Sequence, residues 1–474
     1  MIGAIAHKEL TVLRRDGRVL GLAGLIAALA LLALLTAWAT HTKHERQVRE
    51  AQAEDSAAFA RQGNKPSHSA AHFGRMAYKP PAALAIFDPG AAPYLGQVIW
   101  LEAHRQDPAM FRPAEDAPEL SRLADLSIAG VLTSLLPLLV FVMGHGAFAQ
   151  ERERGTLRQI MAAGASPGAV FGGKLVAVAS VGVCVALVVV AVATTAALIA
   201  ADAADAFDII IRGTCLFAGF GAYACACTGI ALFVSAFART ATSGLLILLT
   251  LWAVSMVVLP RIAASAGDLL HPTPDGGSFW TDASQAVAAA RPKRGSEALR
   301  RIESHVIGRT LGRELAPHEI PRLNRAALGQ EISEVLGARV YTQAYQALYA
   351  TYDRQRGTRR ALSVLSPAMV LSHWSSALAG TDLDAHRHFA TAAEQQRQTL
   401  IRRINEDMMV NGAGQGYDYL ASADFWRSVP DFTYRAPSAT FAIRSALVDL
   451  VLLLAWAVLA VGAAWLSARR QKAI

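Results

Sequence analysis

Six stretches contain no charged residue, and they constrain this chain more than any other feature: residues 19–40, 126–150, 175–201, 213–238, 240–260 and 450–468. An α-helix rises about 1.5 Å per residue, so about 20 residues cross a hydrocarbon layer of about 30 Å. Every block reaches or nearly reaches that length. Within hydrocarbon the backbone must satisfy its own hydrogen bonds, so each block reads as a helix. Charged residues make up 17% of the 474 residues and apolar ones 53%, against about 25% charge in ordinary soluble domains. That excludes a soluble enzyme, a disordered scaffold and a disulfide mini-protein. The expected fold class is an all-α polytopic membrane protein with six transmembrane helices. Pro137 is expected to kink the second helix and Pro260 to end the fifth.

Charge orients the chain. Lys8, Arg14, Arg15 and Arg18 precede the first block. Arg152, Arg154, Arg158 and Lys174 lie between the second and third, Arg239 between the fourth and fifth, and Arg469, Arg470 and Lys472 follow the sixth. The short connection at 202–212 carries three aspartates and one arginine. Positive residues in short loops stay cytoplasmic, so both termini are expected there. These twelve basic residues, set against Glu9, Asp16, Glu151 and Glu153, account for the whole net charge of +8. The basic balance is therefore topology, and no nucleic-acid partner is implied. The first block is longer than the apolar region of a secretory signal and reads as a retained helix. Cys184, Cys215, Cys225 and Cys227 all fall in apolar blocks, as small buried thiols rather than a disulfide framework.

Two long segments, 41–125 and 261–449, are expected outside, together forming a mainly helical extracytoplasmic domain. The first opens with a charged helical run at 43–61 and becomes loop-like through Lys79-Pro80-Pro81 and Phe87-Asp88-Pro89-Gly90. The second is helical in composition at 295–356 and again at 385–410. Tyr341, Tyr345 and Tyr349 recur every four residues along one helix face, either as a binding stripe or, by default, as packing against the other segment. Asp382, Asp384, His386 and His388, with His373 upstream, offer metal-binding side chains; a solvated helix N-terminus is the default reading. No GxSxG, HExxH or paired-carboxylate arrangement is present. Gly168 through Gly173-Lys174 superficially fits GxxxxGK. Leu175 occupies the Ser/Thr position, however, and a membrane span follows, so the chain is not expected to be an enzyme or to bind a cofactor.

The most informative short stretch is Glu151-Arg152-Glu153-Arg154-Gly155-Thr156-Leu157. It is expected to leave the second helix as a dense charged patch, turn at Gly155-Thr156, and form a short helix closed by Ser166-Pro167. Gly172-Gly173-Lys174 is expected to turn the chain back into the membrane. On physical grounds it is equally well a docking handle or an interfacial positive loop.

This stretch, followed by Ser-Pro and by Gly-Lys before a long apolar helix, resembles the ABC-2 type transporter permeases. The run from Ala6 to Arg18 is similar to the amphipathic elbow helix of that family. The resemblance is narrower to bacterial members with a large extracytoplasmic domain of unknown function between the fifth and sixth membrane helices. It implies an elbow helix at 1–18, a cytoplasmic coupling-helix loop at 151–174, a short outer loop at 202–212 and a cytoplasmic tail at 469–474. It further implies a bacterial inner-membrane location, with Glu151 to Leu157 docking on a separate ATP-binding subunit that carries the ATP and magnesium. A second permease copy or a paralogue would complete a dimer. Gly219, Gly221, Ala222 and Gly229 in the fourth helix mark a packing or dimer face. A membrane-anchored receptor or assembly scaffold, its outer domain binding a protein or a metal carrier, is the alternative. The charge-poor helices suit a hydrophobic or amphipathic cargo, or a machine that moves its outer domain.

Overall fold

Asp16 divides the N-terminal helical run in two. Its backbone is extended and its carboxylate accepts the Arg18 N–H at 2.9 Å, ending α1 (Ile2–Arg15) and starting α2 (Gly17–Ala60) at a corner. In the computed structural model, which describes residues 1–116, 126–313 and 322–470, α2 does not stop at residue 40. No glycine or proline interrupts its charged continuation, so the expected first span and the helical run after it are one helix of 44 residues. Residues 117–125 at the end of the first long segment, residues 314–321, and the tail beyond Arg470 with Lys472 lie outside the described residues.

Among the described residues, six helical stretches are long and apolar enough to cross a membrane: Gly17–Ala60, Ile128–Glu153, Pro167–Ala200, Ala203–Phe237, Ala241–Leu270 and Ala439–Arg469. They contain, beyond α2, the helices α4 (Ile128–Gly144), α7 (Pro167–Ala200), α8 (Ala206–Phe237), α9 (Ala241–Ala253), α10 (Leu259–Leu270) and α17 (Ala439–Arg469). Several ends differ from expectation, each for a local reason. The second helix breaks at Gly144, runs through Pro137, and resumes only as the short α5 (Ala149–Glu153). The third starts at Pro167, because Ser166 caps it by accepting the Ala169 N–H and proline suits the first helical position. Ser166-Pro167 thus opens a helix rather than closing one, and Gly172-Gly173-Lys174 lies within it. Pro260 does not end the fifth. A π-helical turn, Val254–Val258, bonds the Leu259 N–H to Val254 O, admits the pyrrolidine ring and lets the helix continue to Leu270.

The Ala203–Phe237 stretch is the hub, with about two-thirds of its most apolar window buried against 6% for the Ala241–Leu270 stretch. Small residues make this possible. A Cβ on Gly213 would meet Thr194 of α7, and one on Gly229 would lie 2.5 Å from Val461 N and 2.6 Å from Ala460 C, backbone atoms of α17. Gly229→Ala must therefore separate α8 from α17. We expect a loss of about 1–3 kcal/mol, read as a lower melting temperature in detergent; Gly221→Ala, at a position with open space around it, serves as the unchanged control.

At one end of the bundle, termed apical, the two long segments share one core. Phe59, Ala77, Ile99 and Leu101 from the first pack with Phe389, Ile401, Trp426 and Phe432 from the second. Helix α3 (Ser67–Phe73) and the antiparallel ribbon β2 (Arg75–Tyr78) with β3 (Val98–Leu101) come from the first segment. The second adds α11 (Gly276–Ala290), α12 (Glu297–Leu311), α13 (Arg325–Ser363), α14 (Pro367–Ala379), α15 (Leu383–Asn411) and α16 (Ala423–Ser428). Strands β1 (Lys65–Pro66) and β4 (Leu420–Ala421) pair across the segments.

Helix α14 sinks between α8 and α17. Trp374 is fully buried, sits against Gly219, and donates from Nε1 to Cys215 O at 3.0 Å. The turn before α14 reaches deeper, with Trp456 Nε1 donating to Val364 O at 3.0 Å and Ser366 Oγ lying 2.6 Å from Ser255 Oγ. Trp456 lies thirteen residues from Arg469 at the other end of α17, about 20 Å at helical rise, so this turn enters the bundle itself.

Candidate functional site

The opposite, basal end carries the charged stretch singled out in the sequence. Gly155, at φ 73° in the left-handed region, turns the chain from α5 into α6 (Thr156–Ala162). The side chains before that turn reach four other helices. Glu151 Oε1 lies 2.9 Å from Lys174 Nζ on α7 and 3.1 Å from Lys8 Nζ on α1. Glu9 of α1 grips the same Lys174 at 2.8 Å. Lys174 is 2% exposed, so this is a buried cation held between two carboxylates. Burial alone would raise the Glu9 carboxyl, but the Lys174 ammonium and its hydrogen bond hold it below the ordinary value.

Arg152 donates to the last carbonyls of α8, Ser235 O at 3.3 Å and Ala236 O at 3.1 Å, and to Ala238 O. A guanidinium there satisfies acceptors that the helix leaves open and sits at the negative end of its dipole. Glu153 Oε2 accepts the Ala241 N–H at 3.3 Å, at the start of α9. The Phe148 and Ala149 N–H groups both donate to Ser235 Oγ. Leu157 is buried with Phe148, Val170, Phe171, Leu232 and Ala464. Glu153, Arg154, Arg158, Gln159, Ala162 and Ala163 are exposed, while Glu151, Arg152 and Leu157 face inward.

The Glu9–Lys174–Glu151 cluster was not found by sequence reasoning. Its one local signal is a lysine standing just before an uncharged block. The paired glycines beside it have a separate use: a Cβ on Gly173 would lie 2.6 Å from Ile5 Cβ and 3.1 Å from Ile2 O, so they seat α1 against α7.

The other sequence candidates fall elsewhere. Ala222 is buried, Gly219 and Gly229 face Trp374 and α17 within the same chain, and Gly221 has open space around it. Tyr341 and Tyr345 pack on Trp280 and Phe279, the Tyr345 hydroxyl donates to Gln106 O of the first segment, and Tyr349 lies under the Arg387 guanidinium. The four candidate metal ligands after residue 380 have separate tasks. Asp382 caps α15 through the Ala385 N–H, Asp384 pairs with Arg356, His386 is buried, and His388 Nδ1 meets the Tyr434 hydroxyl.

Within the bundle, a cavity of about 440 Å³ lies between α4, α8 and α9 below the inserted turn, lined by Pro137, Phe141, Tyr223, Phe233, Trp252 and Trp456 among others. The polar atoms of its walls are turned inward, Tyr223 Oη donating to Thr133 O and Trp252 Nε1 to Ser134 O. Its chemistry suits an apolar or amphipathic body rather than an ion.

A family model described as ABC-2 family transporter protein matches residues 3–471, nearly the whole chain. No curated protein matches it.

Proposed function

Because the chain belongs to the ABC-2 transporter family, and so is an integral membrane permease subunit, we propose that it converts ATP hydrolysis on a separate ATP-binding subunit into export or into movement of its apical domain. In this reading the six apolar stretches cross the bacterial inner membrane, the basal end and both termini are cytoplasmic, and α1 is the elbow helix. ATP and magnesium belong to the partner. A second permease, identical or a paralogue, completes the assembly.

The observation that carries the reading is the wiring of the α5–α6 loop. Its outward surface is exposed, while Glu151 and Arg152 on its inward face hold α1, α7 and α8 and Glu153 at its edge holds the start of α9. A push on this loop is delivered to most of the bundle. The apolar cavity favours a hydrophobic or amphipathic cargo.

The test is co-purification in detergent from the native host, comparing wild type with Arg154→Glu plus Ala163→Trp. Both positions are exposed, so the change alters docking without opening the core. A nucleotide-binding subunit that accompanies the wild type is expected to fall at least tenfold in the variant. Abundant, folded wild-type protein with no such subunit would defeat the coupling reading and leave a receptor or scaffold.

A further inference from the structure

We propose that His68, His72 and His104, on the apical domain, form a binding site for a divalent transition-metal cation of the zinc type. This goes beyond the transport reading and stands whether or not an ATPase docks at the basal face. His68 and His72 are one turn apart on α3, hence on one face. His104 comes from the chain after β3. One ring nitrogen of each lies within 4.8 Å of one from each of the others. Nitrogens around a tetrahedral zinc stand about 3.4 Å apart at Zn–N distances of about 2.0–2.1 Å. The exposed rings of His72 and His104 can close that gap by side-chain rotation.

Proximity alone has a plain explanation, since the rings also pack edge to face, with centroids 4.7 Å apart for His68–His72 and 5.0 Å for His72–His104. Packing does not explain the groups behind the rings. His104 Nδ1 lies 2.9 Å from Glu334 Oε1, and Glu334 is held in turn by Arg397 at 3.1 Å. His68 Nδ1 lies 2.5 Å from the Gln330 amide. Gln330 and Glu334 are one turn apart on α13, matching the turn between His68 and His72 on α3. At His104, where a carboxylate engages Nδ1, Nε2 presents its lone pair outward, the arrangement that orients metal-binding imidazoles. At His68 the Gln330 amide nitrogen donates to Nδ1, so metal binding there requires the amide to turn its oxygen toward Nδ1 and free the Nε2 lone pair. His104 also holds a left-handed backbone, φ 76°, costly for a residue with a side chain, and Glu334 fixes it by accepting the His104 N–H at 2.5 Å.

Three imidazoles and no carboxylate among the ligands suit zinc or copper and disfavour calcium and magnesium. A fourth position, open to solvent beside the exposed rings, makes the ion exchangeable. The ligands come from the first outer segment and their anchors from the second, so an ion here would clip the two segments together.

The test titrates Zn²⁺ into the metal-stripped full-length protein in detergent against a chromophoric chelator, with Cu²⁺ as a paramagnetic probe. One Zn²⁺ per chain is expected, unaffected by excess Mg²⁺ or Ca²⁺. His72→Ala, at an exposed ring, is expected to weaken binding at least 100-fold, and Gln330→Ala about tenfold with stoichiometry kept. Electron paramagnetic resonance of the Cu²⁺ form should show three coupled nitrogens in wild type and two in His72→Ala. Equal Zn²⁺ affinity in wild type, His72→Ala and His104→Ala overturns the site, as does displacement by Mg²⁺ at comparable concentration.

Discussion

Lys174→Ala is expected to destabilise the protein by about 3–5 kcal/mol, the usual cost of leaving buried charges without their counter-ion. The substitution removes the one buried cation that Glu9 and Glu151 share, so two carboxylates from α1 and α5 would face each other inside the basal end. Lys8 remains, but it is half exposed and too well solvated to compensate. The effect should be local before it is global. Trypsin should cut at Arg14 and Arg15 much faster, because α1 loses its hold on α7, and the melting temperature in detergent should fall. Lys174→Met combined with Glu9→Gln and Glu151→Gln should recover most of the loss, since it removes the charges together. A single variant that melts with the wild type would show that the cluster holds nothing. The same cluster sets a pH dependence. Glu9 has a lowered pKa, so its contribution is complete above the ordinary value of 4.5 and disappears as pH falls through the lowered one.

Arg397→Met should have a comparable effect at the apical end. The guanidinium is 1% exposed and donates to both Glu394 oxygens at 2.8 and 2.9 Å, to Glu334 Oε2 at 3.1 Å and to Glu102 O at 3.1 Å. It thereby joins α15, α13 and the chain after β3. Removing it strands two buried carboxylates, again at about 3–5 kcal/mol. Amide hydrogen exchange should quicken across α13, α15 and the β2–β3 ribbon while α8 and α17 keep their protection. Uniform exchange, unchanged from wild type, would count against this ion cluster as the joint between the segments.

The membrane helices were legible because absence of charge is a local signal that needs no partner. Their ends were harder. Ser166 reads equally as a terminator or a cap until one knows that it accepts the Ala169 N–H, and Pro260 reads as a stop unless the turn before it is widened. The charged stretch at 151–157 was visible, but its inward and outward faces were not, because Arg152 and Glu153 act on helix ends more than 80 residues away. The burial of α14 was missed since its apolar run is short and punctuated by serine and histidine. The histidine trio escaped for a related reason: His104 lies 32 residues beyond His72, and only the ribbon brings it back.

The uninterrupted length of α2 has a mechanical consequence. At 44 residues it is a rod of about 66 Å, with its foot at the Asp16 corner and its tip inside the apical core at Phe59. A flexible tether between bundle and apical domain would dissipate any motion arriving from below. A rod amplifies it: tilting the foot by about 5° carries the tip through about 6 Å, the rise of one helical turn. On the coupling reading proposed above, small rearrangements among basal side chains would be geared up into displacements large enough to reposition whole elements at the far end.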